Sequence, residues 1–394
     1  MPTAPVIRSD VPGSFARGVF HERHPELIRQ VLDALPYGPA ERASLERLLA
    51  ESTAGVLEPL PAGAHDRVQW SAWGEGLWGR PWGEAPFLWA ESYFYRRLLD
   101  ATGYFGPGAW QGVDPFAPFK EAELAGAAVD DELAALDTFE GGGAERRHAD
   151  ALLSSALWGN RADLSFRITA EEGSDAQGDG PAASGLLCDD SEALWAALDD
   201  APDGRVAVIA DNAGRELLPD LVLIDHLLTG GRAAEVVLYV KPQPYFVSDA
   251  TMADVLATVR RLRAAPGHAE AIGRRLWRAL DRGRLAVRTH PFFCAPLPYR
   301  DLPADLRAEL AGAVMTILKG DLNYRRLVGD RLWPPTTSFA GVTGHFPSPV
   351  AALRTLKSDV IVGLDAATAA ALDGTGEAWR TSGRHAVVQV NRGT

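Results

Sequence analysis

Two short runs, RVAVIA (Arg205–Ala210) and AEVVLYV (Ala234–Val240), limit what this chain can fold into more than any other feature. Both are too short for a stable helix. They are rich in β-branched residues with no polar alternation, as in strands buried on both faces. Between them, Gly214–Leu228 carries apolar residues at three- and four-residue steps, the spacing of a helix. Strand, helix, strand in that order predicts a parallel pair joined by a right-handed crossover. The expected fold class is α/β with a mostly parallel central sheet.

The first run ends on Asp211 and Asn212. Both are good helix N-caps, and capping alone accounts for either one. In open α/β sheets, however, the carboxyl ends of strands are where ligands bind. The second run is followed by KPQPYFVSDAT (Lys241–Thr251), whose prolines force a non-helical path before Asp249 arrives at the start of the next helix. Neighbouring parallel strands would bring Asp211, Asn212 and Asp249 to one sheet edge. Two carboxylates and an amide oxygen form a hard donor set, suited to Mg²⁺ or Mn²⁺ and too sparse for a buried calcium cage. At a solvent-facing edge, Asp249 is expected to add little to packing.

Two later stretches carry the charge that a phosphoryl group needs. KGDLNYRRLVGD (Lys319–Asp330) gathers Lys319, Asp321, Asn323, Arg325 and Arg326, and LRTLKSDVIVGL sets Arg354, Thr355 and Lys357 directly before a predicted strand at Asp359–Leu364. A metal and an ammonium neutralise charge on phosphoryl oxygens, and a metal-activated water can attack. Alone, each stretch would also pass for a solvated basic turn. Other motifs fall away. GEGLWG (Gly74–Gly79) has no strand before it, no Walker lysine loop or GxSxG elbow occurs, and no HExxH pair is present. His290 reads as a packed residue at a strand end.

The first 150 residues read as helical, with helices expected at His24–Leu35, Ala40–Ser52, Ala85–Phe105, Glu121–Asp137 and Ala144 to about Trp158. A Trp- and Gly-rich loop spans Trp70–Trp82, and the polar segment Glu171–Ser184 reads as a loop. Further strands are expected at Arg284–His290, Asp359–Leu364 and His385–Val390. This suggests a helical domain over 1–150 and an α/β domain over 151–394. With 39 basic against 52 acidic residues, the net charge of −13 argues against a nucleic-acid partner. No apolar run is long enough to cross a membrane and no secretory signal opens the chain, so a cytoplasmic protein is expected. Two distant cysteines give neither a disulfide framework nor a zinc-thiolate site. The oligomeric state stays open.

The ordered set WAESYFYRR, DPFAPFK, LWGNRADLS, DNAGRELLPDLVLIDHLL, VKPQPYFVSD, KGDLNYRRLVGD and LRTLKSDVIVGL resembles the DUF89 damage-control phosphatases, most of all the subgroup of the human acidic residue methyltransferase 1. The resemblance runs from about Phe15 to Val390. It implies an N-terminal helical domain packed on a Rossmann-like α/β/α domain. It also implies a divalent metal (Mn²⁺, Co²⁺, Ni²⁺ or Mg²⁺) held by Asp211, Asn212 and Asp249, and small phosphorylated metabolites such as sugar phosphates as substrates. Asp321 and Lys357 fall in motifs that line the family's phosphate pocket. Asn160, Arg161, Asp163, Glu91 and Arg354 complete the substrate-binding candidates. Two other functions compete. S-adenosylmethionine-dependent protein carboxyl methyl transfer would want a Gly-rich turn after the first strand, where ADNAG offers one glycine. A non-catalytic binding protein of a biosynthetic cluster would have no need of an intact metal set.

Overall fold

A computed structural model describes residues 4–137, 145–159 and 185–393. Up to Trp158 the described chain is helical with connecting loops. Helix α1 (Phe15–Gly18) runs through a π-turn at Val19–Arg23 into α2 (His24–Ala34), followed by α3 (Pro39–Ala54), α4 (Arg67–Trp73), α5 (Phe87–Ala101), α6 (Ala117–Leu124), α7 (Ala127–Ala135) and α8 (Glu145–Trp158). Proline stands in the first positions of α2, α3 and α6, where its fixed φ suits a helix start and its missing N–H costs nothing. The single helix expected over Glu121–Asp137 is two, because Gly126 sits extended between them as the N-cap of α7.

The remainder alternates strands and helices: β1 (Leu186–Asp189), α9 (Ser191–Asp199), β2 (Arg205–Ile209), α10 (Leu217–Thr229), β3 (Glu235–Val240), α11 (Met252–Ala264), α12 (Gly267–Asp281), β4 (Leu285–Thr289), α13 (Ala304–Ala311), β5 (Met315–Lys319), α14 (Gly320–Val328), α15 (Phe339–Thr343), β6 (Val350–Thr355), α16 (Ala366–Gly374) and β7 (Ala386–Asn391). They form one sheet in the order β1-β7-β6-β5-β2-β3-β4. Strands β2 to β6 are mutually parallel, while β7 pairs antiparallel with β6 and parallel with β1. The α/β class with a mostly parallel sheet is therefore as expected.

Strand side chains alternate between two cores. Ala207, Ile209, Val237 and Tyr239 face the side covered by the N-terminal helices, while Val206, Val208, Val236 and Leu238 face α8, α10, α11 and α12. Burial on both faces explains why these strands lack polar alternation.

One expected strand is absent. Asp359–Leu364 is a loop, although Val360, Ile361 and Val362 are fully buried. Its backbone is satisfied by side chains instead of a ladder. Arg354 Nη1 donates to the Val360 carbonyl, Gln389 Nε2 donates to Val362 O at 2.8 Å, and Val362 N donates to the Tyr324 hydroxyl at 3.2 Å. Arg354 accordingly lies within β6, not ahead of a strand. Conversely, β1, β5 and β6 were not among the expected strands.

Candidate active site

Four neighbouring parallel strands, β6, β5, β2 and β3, end at the same edge, and each delivers polar residues just past its last hydrogen-bonded position. From β2 come Asp211 and Asn212. Neither caps a helix: α10 begins only at Leu217, three residues later than its apolar pattern suggests, and no side chain caps it. Asp249 is no cap either, because Thr251 and Asp254 form the capping box of α11. Instead the two strand extensions are tied together. Asn212 and Asp249 form an antiparallel bridge, Ala250 N donates to Asp211 O at 2.8 Å, and Ala213 N donates to Ser248 O at 2.6 Å.

This brings two buried carboxylates and an amide to one place. Asp211 Oδ2 accepts from Asn212 Nδ2 at 3.2 Å, and Asn212 Oδ1 accepts from Ser248 Oγ at 2.7 Å. Burial raises the proton affinity of Asp211 well above the usual carboxylate range, with Glu216 and Asp249 adding to it and Lys357 and Lys241 opposing. Asp249 is raised by burial against the pull of Lys241. Contrary to the expectation of a solvent-facing side chain, Asp249 and Lys241 are each 2% exposed and form an ion pair at 3.0 Å.

The donor set fits a hard divalent cation. Asp249 Oδ2 faces the Lys241 ammonium at 3.0 Å, and the like charge of Asp211 and Asp249 is only partly offset by the neighbouring cations. Among the described residues no three Asp, Glu, His or Cys side chains group as ligands. A cation here would be met by the Asp211 and Asp249 carboxylates and, in place of the Ser248 hydroxyl, by the Asn212 amide oxygen, all of it hard oxygen.

The network continues across the sheet edge. Asn212 Nδ2 donates to Glu216 at 2.9 Å, and the other Glu216 oxygen lies 3.1 Å from Lys357 Nζ. Lys357 N and Ser358 Oγ donate to Asp321 Oδ1 at 3.2 and 3.0 Å, and Arg354 Nε donates to the same oxygen at 2.8 Å. Despite burial, the Arg354 and Arg325 guanidinium groups and these hydrogen bonds hold Asp321 below the usual range. Lys357 is lowered by burial, but Glu216, Asp211 and Asp321 outweigh this and raise it. Between β5 and β2, α14 begins at Gly320 with φ +82°, and a Cβ there would collide with the Asp211 carboxylate. Glycine thus lets the start of α14 approach the acidic edge.

The sequence profile of the damage-control phosphatase ARMT1-like domain matches residues 19–372. The chain belongs to the ARMT1-like damage-control phosphatase family. Damage-control phosphatase ARMT1 of Mus musculus is 31% identical over 96% of this chain and 96% of its own length. The Danio rerio protein of the same name is 32% identical over 96% and 94%, and the Homo sapiens protein 31% over 78% and 75%.

Within this family member, Asp211, Asn212, Asp249, Asp321, Lys357 and Arg354 share the one edge. Asn160, Arg161 and Asp163 lie outside the described residues. Glu91 stands apart on α5, paired with Arg325 Nη1 at 3.0 Å. Three residues went unassigned at sequence level. Lys241 and Glu216 each sit just beyond a recognised motif residue. Lys120 reaches in from α6, bonding Asp114, Asp254 and the Asp249 carbonyl, each at 3.0 Å. All three lie inside the quoted family stretches, the one signal that pointed to them.

Burial pushes the Glu91 carboxyl up to about 7, only partly countered by Arg325. Folding thus favours its protonated form. The stabilisation is complete below the ordinary glutamate pKa of about 4.5 and is lost as pH rises through about 7. Thermal melts of wild type and Glu91→Gln should diverge over that window, the wild type losing roughly 3 kcal/mol that the variant keeps. Parallel pH profiles would show that Glu91 is not the titrating group.

Proposed function

We propose that this protein is a metal-dependent phosphomonoesterase acting on small phosphorylated metabolites such as sugar phosphates. The observation that carries the reading is the Asn212–Asp249 bridge, which holds two buried carboxylates at one point between flanking ammonium groups. Asp211, Asn212 and Asp249 would hold the cation (Mn²⁺, Co²⁺, Ni²⁺ or Mg²⁺). When bound, it supplies Lewis-acid charge to the phosphoryl oxygens and acidifies water.

The chain's own residues do the rest. Lys357, kept protonated by its acidic neighbours, clamps a phosphate oxygen. Glu216 restrains that ammonium and orients Asn212. Asp321 acts through what it holds: its one oxygen fixes Arg354, Ser358 and the Lys357 backbone, so the Lys357 side chain starts from a set position. Lys241 offsets charge behind Asp249. Asn160, Arg161 and Asp163 remain candidates for the substrate side of the cleft. In the hydrolysis, water forms the new P–O bond as the ester P–O bond breaks, a proton from the water passing to the leaving alkoxide, with no phosphorylated side chain.

The reading keeps the division into a helical unit, 1–150, and an α/β unit, 151–394. It is supported by helices alone up to α7 and by strands from Leu186 on, while α8 crosses the boundary and packs on α10 and β6. It also keeps the cytoplasm as the place of action, where Cys188 and Cys294 would stay the free thiols they are here. Among the described residues no helix is long and apolar enough to cross a membrane.

The test is phosphate release from p-nitrophenyl phosphate and a panel of sugar monophosphates, after chelation and after adding back each of the four cations. Release that vanishes on chelation and returns with metal is expected. Equal release in chelator, or methyl transfer from labelled S-adenosylmethionine with no phosphate release, would overturn the reading.

A further inference from the structure

The loop that carries Asp249 contains two consecutive non-glycine residues with left-handed backbone, Phe246 at φ 45° and Val247 at φ 68°. For a β-branched residue such a φ is a genuine outlier. Ser248 N donates to Phe246 O at 2.8 Å, closing a three-residue turn around Val247. A positive central φ makes this the rare, strained form of γ-turn. Among the described residues these are the two non-glycine positions of positive φ in the chain, and both lie within three residues of Asp249. Strain of this kind persists only where its surroundings enforce it.

Those surroundings come from α5. Tyr95 stacks on Phe246 with ring centroids 4.7 Å apart, and the Tyr245 hydroxyl donates to Ser92 Oγ at 2.7 Å. Ser92, Tyr95 and Tyr245 are all buried. On the other side of the turn, Ser248 Oγ donates to Asn212 Oδ1, and Ser248 O accepts from Ala213 N. The strained pair therefore sits between a helical anchor and the acidic edge. A one-residue relaxation of the turn would withdraw Ser248 and Asp249 from Asn212 and Asp211 together.

We propose that α5 is a clamp: Tyr95 and Ser92 are positioning residues that hold the strained turn Phe246–Val247 so that Asp249 meets Asp211 and Asn212. Helix α5 thereby helps set the geometry of the acidic edge, alongside Lys120 of α6, which meets the Asp249 carbonyl directly. The proposal deepens the metal reading above and rests on it for one of its two readouts.

The experiment is a double-mutant cycle on the full chain with Tyr95→Ala, Val247→Gly and both together, plus Tyr245→Phe as a milder probe. Hydrogen exchange at the Ala213 and Ala250 amides is followed in metal-free protein, and Mn²⁺ affinity by calorimetry. Removing the Tyr95 ring should let the turn spring open, giving about tenfold faster exchange and about tenfold weaker Mn²⁺ binding. Glycine adopts the left-handed turn without strain, so Val247→Gly alone should stay within about threefold of wild type. The double variant should return to that range. This rescue is what loss of packing alone would not produce.

Should Tyr95→Ala fail to fold, Tyr245→Phe carries the test, with exchange faster by about fivefold, outside the range of Val247→Gly alone, and brought back into that range by adding Val247→Gly. Unchanged exchange in the clamp variants, or a double variant no better than Tyr95→Ala, overturns the proposal. If wild type binds no Mn²⁺, the metal reading fails while the exchange cycle still decides the clamp.

Discussion

Replacing Asp249 by asparagine is expected to abolish divalent-cation binding and to lower phosphate release by about a thousandfold or more, the scale of losing a principal electrostatic element of a site. The substitution keeps the shape of the side chain and its place in the bridge to Asn212, but removes one of the two charges a cation would meet. Stability should respond differently to asparagine and alanine. Asp249 is the ion-pair partner of Lys241, and both are almost wholly buried. Alanine leaves that ammonium without a partner, at a cost of about 3–5 kcal/mol. Asparagine leaves it a carbonyl oxygen and also removes repulsion with Asp211, so its melting temperature should fall much less. Calorimetry with Mn²⁺, thermal melts and the phosphatase assay on the two variants separate the ligand role from the packing role. An asparagine variant that still binds Mn²⁺ like wild type would exclude Asp249 as a ligand.

Lys357→Ala is expected to slow turnover by roughly two orders of magnitude, as when one preorganised electrostatic partner is lost. The side chain is free enough to do this work: about half of it is exposed, and among the described residues it pairs with Glu216 at 3.1 Å. Its backbone N–H, which donates to Asp321, survives in the alanine variant, so the loop beyond β6 should keep its course. Cation affinity should change little, because an ammonium is no ligand. Lys357→Arg should recover only part of the rate, since a planar fork does not replace a point charge on one oxygen. Near-normal turnover of the alanine variant on the best substrate of the panel would reduce Lys357 to a solvated surface lysine.

Much of this was legible along the chain because local patterns have local causes. RVAVIA and AEVVLYV read as buried strands since no polar residue interrupts them, and they are β2 and β3, paired in parallel. Asp211, Asn212 and Asp249 could be brought together because a parallel crossover returns both strands to the same edge. The site residues could be nominated from the motifs of the family to which the chain belongs.

What tertiary structure decided was which segments became neighbours, and at what cost. Strands β5 and β6 are runs of five and six residues ending in Lys319 and Thr355, with a charged residue in each, and nothing local marks them as central. Only their pairing beside β2 lines up Lys357, Asp321, Asp211 and Asp249 along one edge. Val360–Val362 has the composition of a strand, yet Arg354, Tyr324 and Gln389 satisfy its backbone and make it a buried loop. Val247 shows the same limit most sharply. Its own preference is for extended backbone, yet it is left-handed where the chain passes from the α5 contact of Phe246 to the Ser248 bond with Asn212, just ahead of Asp249. Periodicity and turn chemistry act over a few residues and can be read from them. Strand order, ion pairing and enforced strain arise between residues far apart in the chain, and come into being only when the sheet closes around them.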